Sequence, residues 1–329
     1  MALKTTLLTL GLLGSASTAL ANEAVVFGTN WLAQAEHGGF YQSVADGTYA
    51  ACGLDVTIQQ GGPQVNNRAL LLAGKVDYNM AGGLLGAFSS VQEGVPVVAV
   101  AAAFQKEPQV ILAHPGAAKT FEDLKTLTLL ISDEGFASFY QWMISAHGFT
   151  AEQRQPYTFN SAQFIADEKV AMQGYLSSEP YSVEKEAGWK PDIFLLADAG
   201  YSTYSTTIET MADTVATKPE QVQCFVDGSI KGWYNYLYGD NAAANALIKT
   251  DNPDITDDQI AFAIEQMKAV GIVDSGDALT LGIGVMTDAR VKDFFDKMVA
   301  AGVVDAGVDY KASYTTRFVG KGVGMDLKK

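Results

Sequence analysis

The chain is 329 residues long and carries 37 Asp and Glu against 22 Lys and Arg, a formal charge of −15. A chain this acidic is repelled by nucleic acid and by anionic lipid, so neither is expected as a partner. The length suffices for two compact lobes or one large α/β unit, and no apolar run reaches the roughly 20 residues that a membrane-spanning helix needs.

Residues 1–21 read as a cleavable export signal. Lys4 supplies the positive start, Leu7 to Leu13 the apolar core, and Ala19-Leu20-Ala21 the small-x-small cleavage site. Export predicts a periplasmic protein, free to diffuse because no lipobox cysteine follows. The cysteines are Cys52 and Cys224, and an oxidising compartment leaves open either a disulfide or two separately buried thiols. His37, His114 and His147 lie far apart without metal-ligand spacing, and no G-x-S-x-G, H-E-x-x-H, Walker A or G-x-G-x-x-G run occurs. No catalytic residue, metal site or cofactor is therefore expected.

In chain order, residues 24–29 predict a first strand and 35–51 a helix with Phe40, Tyr41 and Val44 recurring at near-helical spacing. Gly53 stops that helix before a strand over 54–58. Gly61-Gly62-Pro63 reads as a loop, and 66–73 as a short helix with Leu70, Leu71 and Leu72 inward. Gly74 to Tyr78 leads into another strand, followed by a helix around 84–92 and a strand over 95–103. A second set starts near His114, with a helical turn over 120–124, a strand over 127–131 and a helix over 135–147. It continues with a strand over 157–159, a helix over 161–172, a strand over 174–176, a helix over 180–187 and a strand over 193–197. The polar run 201–207 crosses back, and the rest is mainly helical at about 217–239, 242–248, 256–270 and 287–301. Strands alternating with helices imply mostly parallel sheets covered on both faces. Lobe I is then 22–108 plus 208–329 and lobe II 109–207, with a two-crossing hinge and a ligand cleft between the carboxyl ends of the two sheets.

The stretches Gly47-Thr48-Tyr49-Ala50-Ala51-Cys52-Gly53-Leu54-Asp55-Val56, Ala69 to Tyr78, Val95 to Val100, Thr120 to Leu124 and Leu176 to Tyr181 follow one another in a familiar order. On them the chain resembles the solute-binding components of ABC importers in the nitrate/sulfonate/taurine and thiamine-precursor (NMT1/THI5-like) family. That resemblance implies an α/β type II periplasmic-binding-protein fold, no catalysis, and a monomer that delivers a small-molecule ligand to a permease with its cytoplasmic ATPase. Asn30-Trp31, Glu36-His37 and Ser178-Glu179-Pro180-Tyr181 are more similar to the branch that takes the aminopyrimidine precursor of thiamine. A related fungal enzyme makes that pyrimidine from its own histidine; this chain lacks the cysteine cluster of that enzyme.

Several residues are candidates for the cleft. Trp31 follows the first strand and offers a flat stacking face, with Glu36 and His37 behind it; an alternative places Trp31 in the core and the other two at a helix start. Asn66 either touches ligand or caps its helix. Gly82 and Gly83 follow a strand and let backbone approach a ligand. In Ser132-Asp133-Glu134-Gly135-Phe136, the acids occupy the helix start where sulfonate- or nitrate-binding relatives hold an anion. Their charge tilts the ligand toward neutral or cationic, with Glu134 and Phe136 as candidate contacts. Arg68 is the arginine nearest a cleft loop, so no paired guanidinium clamp for a dianion is evident. The resemblance makes Glu179 the acceptor for a ring amino group, with Tyr175 and Tyr181 beside it as stacking candidates. Tyr201 and Tyr204 lie on the return crossing at the back of the cleft.

Overall fold

The computed structural model describes residues 21–62 and 65–328; residues 1–20 of the expected export segment 1–21, and Pro63, lie outside the described residues. Its strands are β1 (Glu23–Gly28), β2 (Leu54–Gln59), β3 (Tyr78–Gly83), β4 (Val97–Phe104), β5 (Gln109–Ala113), β6 (Thr128–Ile131), β7 (Arg154–Pro156), β8 (Val170–Tyr175), β9 (Asp192–Leu195) and β10 (Ser205–Met211). They form two five-stranded sheets, ordered β2-β1-β3-β10-β4 and β7-β6-β8-β5-β9. In the first, β1 runs parallel to β2 and β3 while β10 lies antiparallel between β3 and β4. In the second, β6 runs parallel to β7 and β8 while β5 lies antiparallel between β8 and β9. The antiparallel member of each sheet is the first strand after a crossing, at 105–108 and at 196–204.

Local chemistry explains the elements. β4 reads Val-Val-Ala-Val-Ala-Ala-Ala-Phe and is nearly all buried although it is an edge strand, because Ala99 and Ala102 are bridged by Tyr314 and Gly284 of the C-terminal segment. That cover removes an exposed edge. Thr120 and Asp123 cap each other's amides at the turn before β6. Pro219 opens the long helix Pro219–Tyr238, where its missing N–H costs nothing. Against that helix packs Gly38–Ala45, so closely that a Cβ on Gly39 would stand 2.3 Å from the Trp233 ring. Phe225 lies stacked between Tyr49 and Tyr78, with centroids 5.2 and 4.1 Å away.

Several expectations are corrected. The helix expected over 35–51 is three pieces, Ala35–His37, Gly38–Ala45 and Thr48–Ala51, because Gly47 adopts a left-handed φ of 71°. The one over 135–147 breaks at Ser138 into Asp133–Ala137 and Phe139–His147. The one over 161–172 is Ala162–Ala166 only; β8 claims Val170 and Met172, whose spacing suits either period. Residues 157–159 are not a strand, and Phe159 has a φ of 61°. Leu72 points outward at 46% exposure, leaving Leu71 as the buried member of that run. β10 was not anticipated: Ser205 to Thr210 is polar yet wholly buried, and its threonines are strand formers. Cys52 and Cys224 form a disulfide across 172 residues of sequence.

Candidate functional site

The carboxyl ends of β1 and β3 in one half face those of β6 and β8 in the other, and the turns that follow them carry the acids. Glu36 lies in the turn after β1, is 3% exposed, and accepts a hydrogen bond from Ser177 Oγ of the opposite half. Burial pushes its carboxyl up to about 7, against the pull of the Ser177 bond. Glu179 follows β8, and its Oε2 accepts from the Tyr175 amide and the Ser178 hydroxyl, each at 2.6 Å. One oxygen is thereby fixed, which aims the carboxylate.

Glu107 projects from the first crossing. Burial raises its carboxyl to about 7 as well, partly offset by the Ser205 hydroxyl and the Gln109 amide, and the negative charge of Glu134 adds to the rise. Tyr175 reaches the same place: burial and then the charge of Glu107 push its phenol well above the ordinary value, so it is a neutral donor and acceptor. Thr206, on β10, has a φ of 48°. A β-branched residue adopts that conformation only where its surroundings impose it, a pattern that gathers at functional sites.

The rim where the two halves meet is apolar. Trp31 of one half lies 5.9 Å, ring to ring, from Phe159 of the other, and Phe159 is 60% exposed. Leu32 and Val65, also exposed, flank Gly62 on the same rim. A further contact between the halves joins Tyr181 to Phe262 at 5.5 Å.

The cations near these groups are already engaged. Arg68 Nη2 donates to both oxygens of buried Glu209 at 2.9 and 3.0 Å, and Arg154 pairs with Asp133. Lys106 pairs with Asp198 at 3.5 Å. Among the described residues no cluster of His, Cys, Asp and Glu has the arrangement to hold a metal ion, and no helix is long and apolar enough to cross a membrane.

The NMT1/THI5-like family model matches residues 34–243. The chain belongs to that family. Its fold is that of the periplasmic binding proteins. The structure is similar to the aliphatic sulphonate binding protein SsuA of Escherichia coli, at a TM-score of 0.65 and 12% identity over 89% of this chain and 92% of that one. It is similar to a Candida albicans gene product described as having the generic periplasmic binding protein fold, at 0.61 and 15% over 90% and 97%. The desulfurization enzyme DSZB also shares it, at 0.55 and 10% over 94% and 100%. No curated protein matches.

For this member of the NMT1/THI5-like family, the structure brings together Trp31, Glu36, Gly83, Glu134, Tyr175 and Glu179 of the residues expected from sequence. Gly82 is exposed beside them, with nothing within 4 Å of where its Cβ would stand. His37 is fully buried with neither ring nitrogen bonded, and burial alone lowers its pKa to about 3, so it is a neutral imidazole and no acid–base partner of Glu36. Asn66 caps its helix, accepting from the Ala69 amide at 3.0 Å. Phe136 turns to Tyr140 and Arg154. Tyr181 packs on Phe262 and under Lys185. Tyr201 is wedged between Trp142 and Phe294, and Tyr204 is buried beneath Arg290 with its hydroxyl at Thr287. Tyr201 and Tyr204 are buried with apolar neighbours or fixed bonds on their faces, while Phe136 and Tyr181 stay partly exposed. Of the acid pair, exposed Asp133 pairs with Arg154 and Ser132 does the capping, while the charge of Glu134 is felt at Glu107.

Sequence reasoning missed Glu107, Phe159, Ser177 and Thr206. A signal for Glu107 was available: Glu107-Pro108 repeats the Glu179-Pro180 dipeptide, and proline holds the residue before it extended, here on the crossing just ahead of β5.

Proposed function

We propose that this chain is an extracytoplasmic solute-binding protein that delivers a small, flat, nitrogen-rich nutrient, of the aminopyrimidine type from which thiamine is built, to an ABC permease and its cytoplasmic ATPase. The two lobes, 22–108 with 208–329 and 109–207, close over the ligand, and the closed form is the one the permease engages. One observation carries the choice of ligand: Glu36, Glu107, Glu134 and Glu179 converge from both halves while Arg68, Arg154 and Lys106 are already paired. Each carboxylate that is ionised disfavours an anion by roughly 1–4 kcal/mol and favours an N–H donor or a cation. The Trp31 face covers the ring, Glu179 accepts from the ring amino group, and Glu36 and Glu107 take the remaining N–H edge. The ligand leaves chemically unchanged, since the pocket groups named here bind and orient it and none attacks it.

A second reading keeps the lobes and takes a sulfonate, nitrate or aromatic carboxylate. The name of the Escherichia coli neighbour favours it, and Arg68, whose Nε has no partner, is the group it would use. A thermal-shift panel separates the two. Stabilisation by 4-amino-5-hydroxymethyl-2-methylpyrimidine and none by taurine or nitrate supports the first; the reverse pattern replaces it with the second. Glu179→Gln should weaken the aminopyrimidine at least tenfold by calorimetry, and unchanged affinity removes that contact.

A further inference from the structure

The two crossings, 105–108 and 196–204, are held together from behind by one side chain of the helix Asp288–Ala300. Arg290 Nε donates to the Ser202 carbonyl at 2.9 Å, and its Nη2 donates both to the Thr203 carbonyl at 3.2 Å and to the Gln105 carbonyl. The guanidinium also lies 4.1 Å over the Tyr204 ring, whose hydroxyl accepts from the Thr287 amide at 3.0 Å. A planar fork with several donors in fixed directions suits this task; an ammonium is a single point with no plane to stack. Lys297, on the same helix, bonds the second crossing alone, at Gly200 O and Ser202 Oγ, and pairs with Asp293. Lys106 and Asp198 do link the crossings, but at 3.5 Å and half in solvent, where an ion pair contributes little.

What this clasp fixes is set by the chain itself. Two residues beyond Gln105 is Glu107, and two residues beyond Thr203 is Ser205, followed by strained Thr206. Gly83 lies against the same crossing, its absent Cβ standing 2.8 Å from the Tyr204 carbonyl and 3.8 Å from Glu107 Oε2. We infer that Arg290 is a positioning residue for ligand capture: by tying the two crossings together it sets the spacing between Glu107 and Ser205–Thr206 at the start of β10. It touches no ligand itself.

The test is amide hydrogen exchange on ligand-free protein, with calorimetry beside it. In Arg290→Lys and Arg290→Met, exchange at 105–109 and at 203–207 should accelerate at least tenfold, while β6 and the helix Phe139–His147 keep wild-type protection. Affinity for 4-amino-5-hydroxymethyl-2-methylpyrimidine should fall at least tenfold in both, whereas Lys297→Met stays within twofold. Retained charge without rescue in Arg290→Lys marks a geometric role, and that variant carries the test if Arg290→Met does not fold. Unchanged exchange at the crossings overturns the inference, as does unchanged affinity alongside accelerated exchange. The affinity arm rests on the proposed ligand class; the exchange arm does not, so failure of the wild type to bind the pyrimidine leaves Arg290 still decided by exchange.

Discussion

Ser177 and Glu36 belong to opposite halves of the molecule, 141 residues apart, yet the serine hydroxyl donates to the buried glutamate. The bond joins the turn after β8 to the turn after β1, so it exists only when the halves are together. It makes a carboxylate that burial would otherwise penalise part of the contact between the halves.

Ser177→Ala removes that donor and leaves Glu36 buried without it. An unmade bond to a charged group costs roughly 1–3 kcal/mol, and because the bond spans the cleft the loss falls on closure. Calorimetry should show ligand affinity down by about tenfold or more, with a melting temperature close to wild type when measured without ligand. Equal affinity in variant and wild type would mean that the halves close without this bond.

Stability should fall as pH rises through neutrality. Glu36 and Glu107 sit at about 7 in the folded protein against an ordinary 4.5. Below 4.5 both folded and unfolded chains hold these protons, and the two groups contribute nothing. Between 4.5 and 7 the folded chain alone holds them, so the unfolded chain gains with each step up in pH. Above 7 the full penalty is present, on the order of 3 kcal/mol per group. Two such groups outweigh the opposite effect of His37, whose depressed pKa adds stability up to about pH 6.5, so melting of ligand-free protein should drop between pH 5 and pH 8, and Glu36→Gln with Glu107→Gln should abolish the drop. Identical curves for the double variant and the wild type refute the assignment. A cationic ligand should reverse the trend by drawing both protons off.

The parts of this protein that were legible from sequence are those written in one local period. The helices Leu84–Gln92 and Pro219–Tyr238 follow from apolar spacing and an opening proline, and Trp31, Glu36 and Glu179 follow from their places after strands. What stayed hidden depends on distant partners. Ser205 to Thr210 carries no apolar alternation, because its strand is buried between β3 and β4 and satisfied by their ladders. Tyr204 looks like a cleft residue until Arg290, 86 positions later, covers its ring. Ser177 is an unremarkable residue locally, and only the meeting of two halves gives it Glu36 as a neighbour.

The Cys52–Cys224 disulfide should stabilise without touching ligand capture. It joins the turn before β2 to the helix Pro219–Tyr238, at the amino end of a strand whose carboxyl end faces the cleft. Closing a loop of 172 residues is worth roughly 5 kcal/mol in the chain-entropy picture. Cys52→Ser with Cys224→Ser should lower the melting temperature by many degrees while affinity at 25 °C holds. Loss of affinity in a variant that remains folded would place the bridge in the closing motion instead.

Gly82 and Gly83 offer a matched pair, adjacent in sequence and opposite in surroundings. Gly83 is extended, with φ 176°, so any residue could adopt its backbone; what requires glycine is space. A methyl there would stand 2.8 Å from the Tyr204 carbonyl and 3.3 Å from Thr203 Oγ1, both on the second crossing. Backbone cannot step aside as a side chain can, so Gly83→Ala must push the crossing off β3, with an overpacking cost of roughly 1–3 kcal/mol. Gly82 meets nothing within 4 Å, and an added methyl there points into open space. Gly83→Ala is thus expected to lower both melting temperature and affinity, whereas Gly82→Ala should leave the melting temperature within a degree and lower affinity only if ligand rests on that strand end. If the two alanines lower stability equally, the close approach of the crossing to β3 is not what holds that crossing in place. If Gly82→Ala alone lowers affinity, the ligand lies against the strand end and not against the crossing.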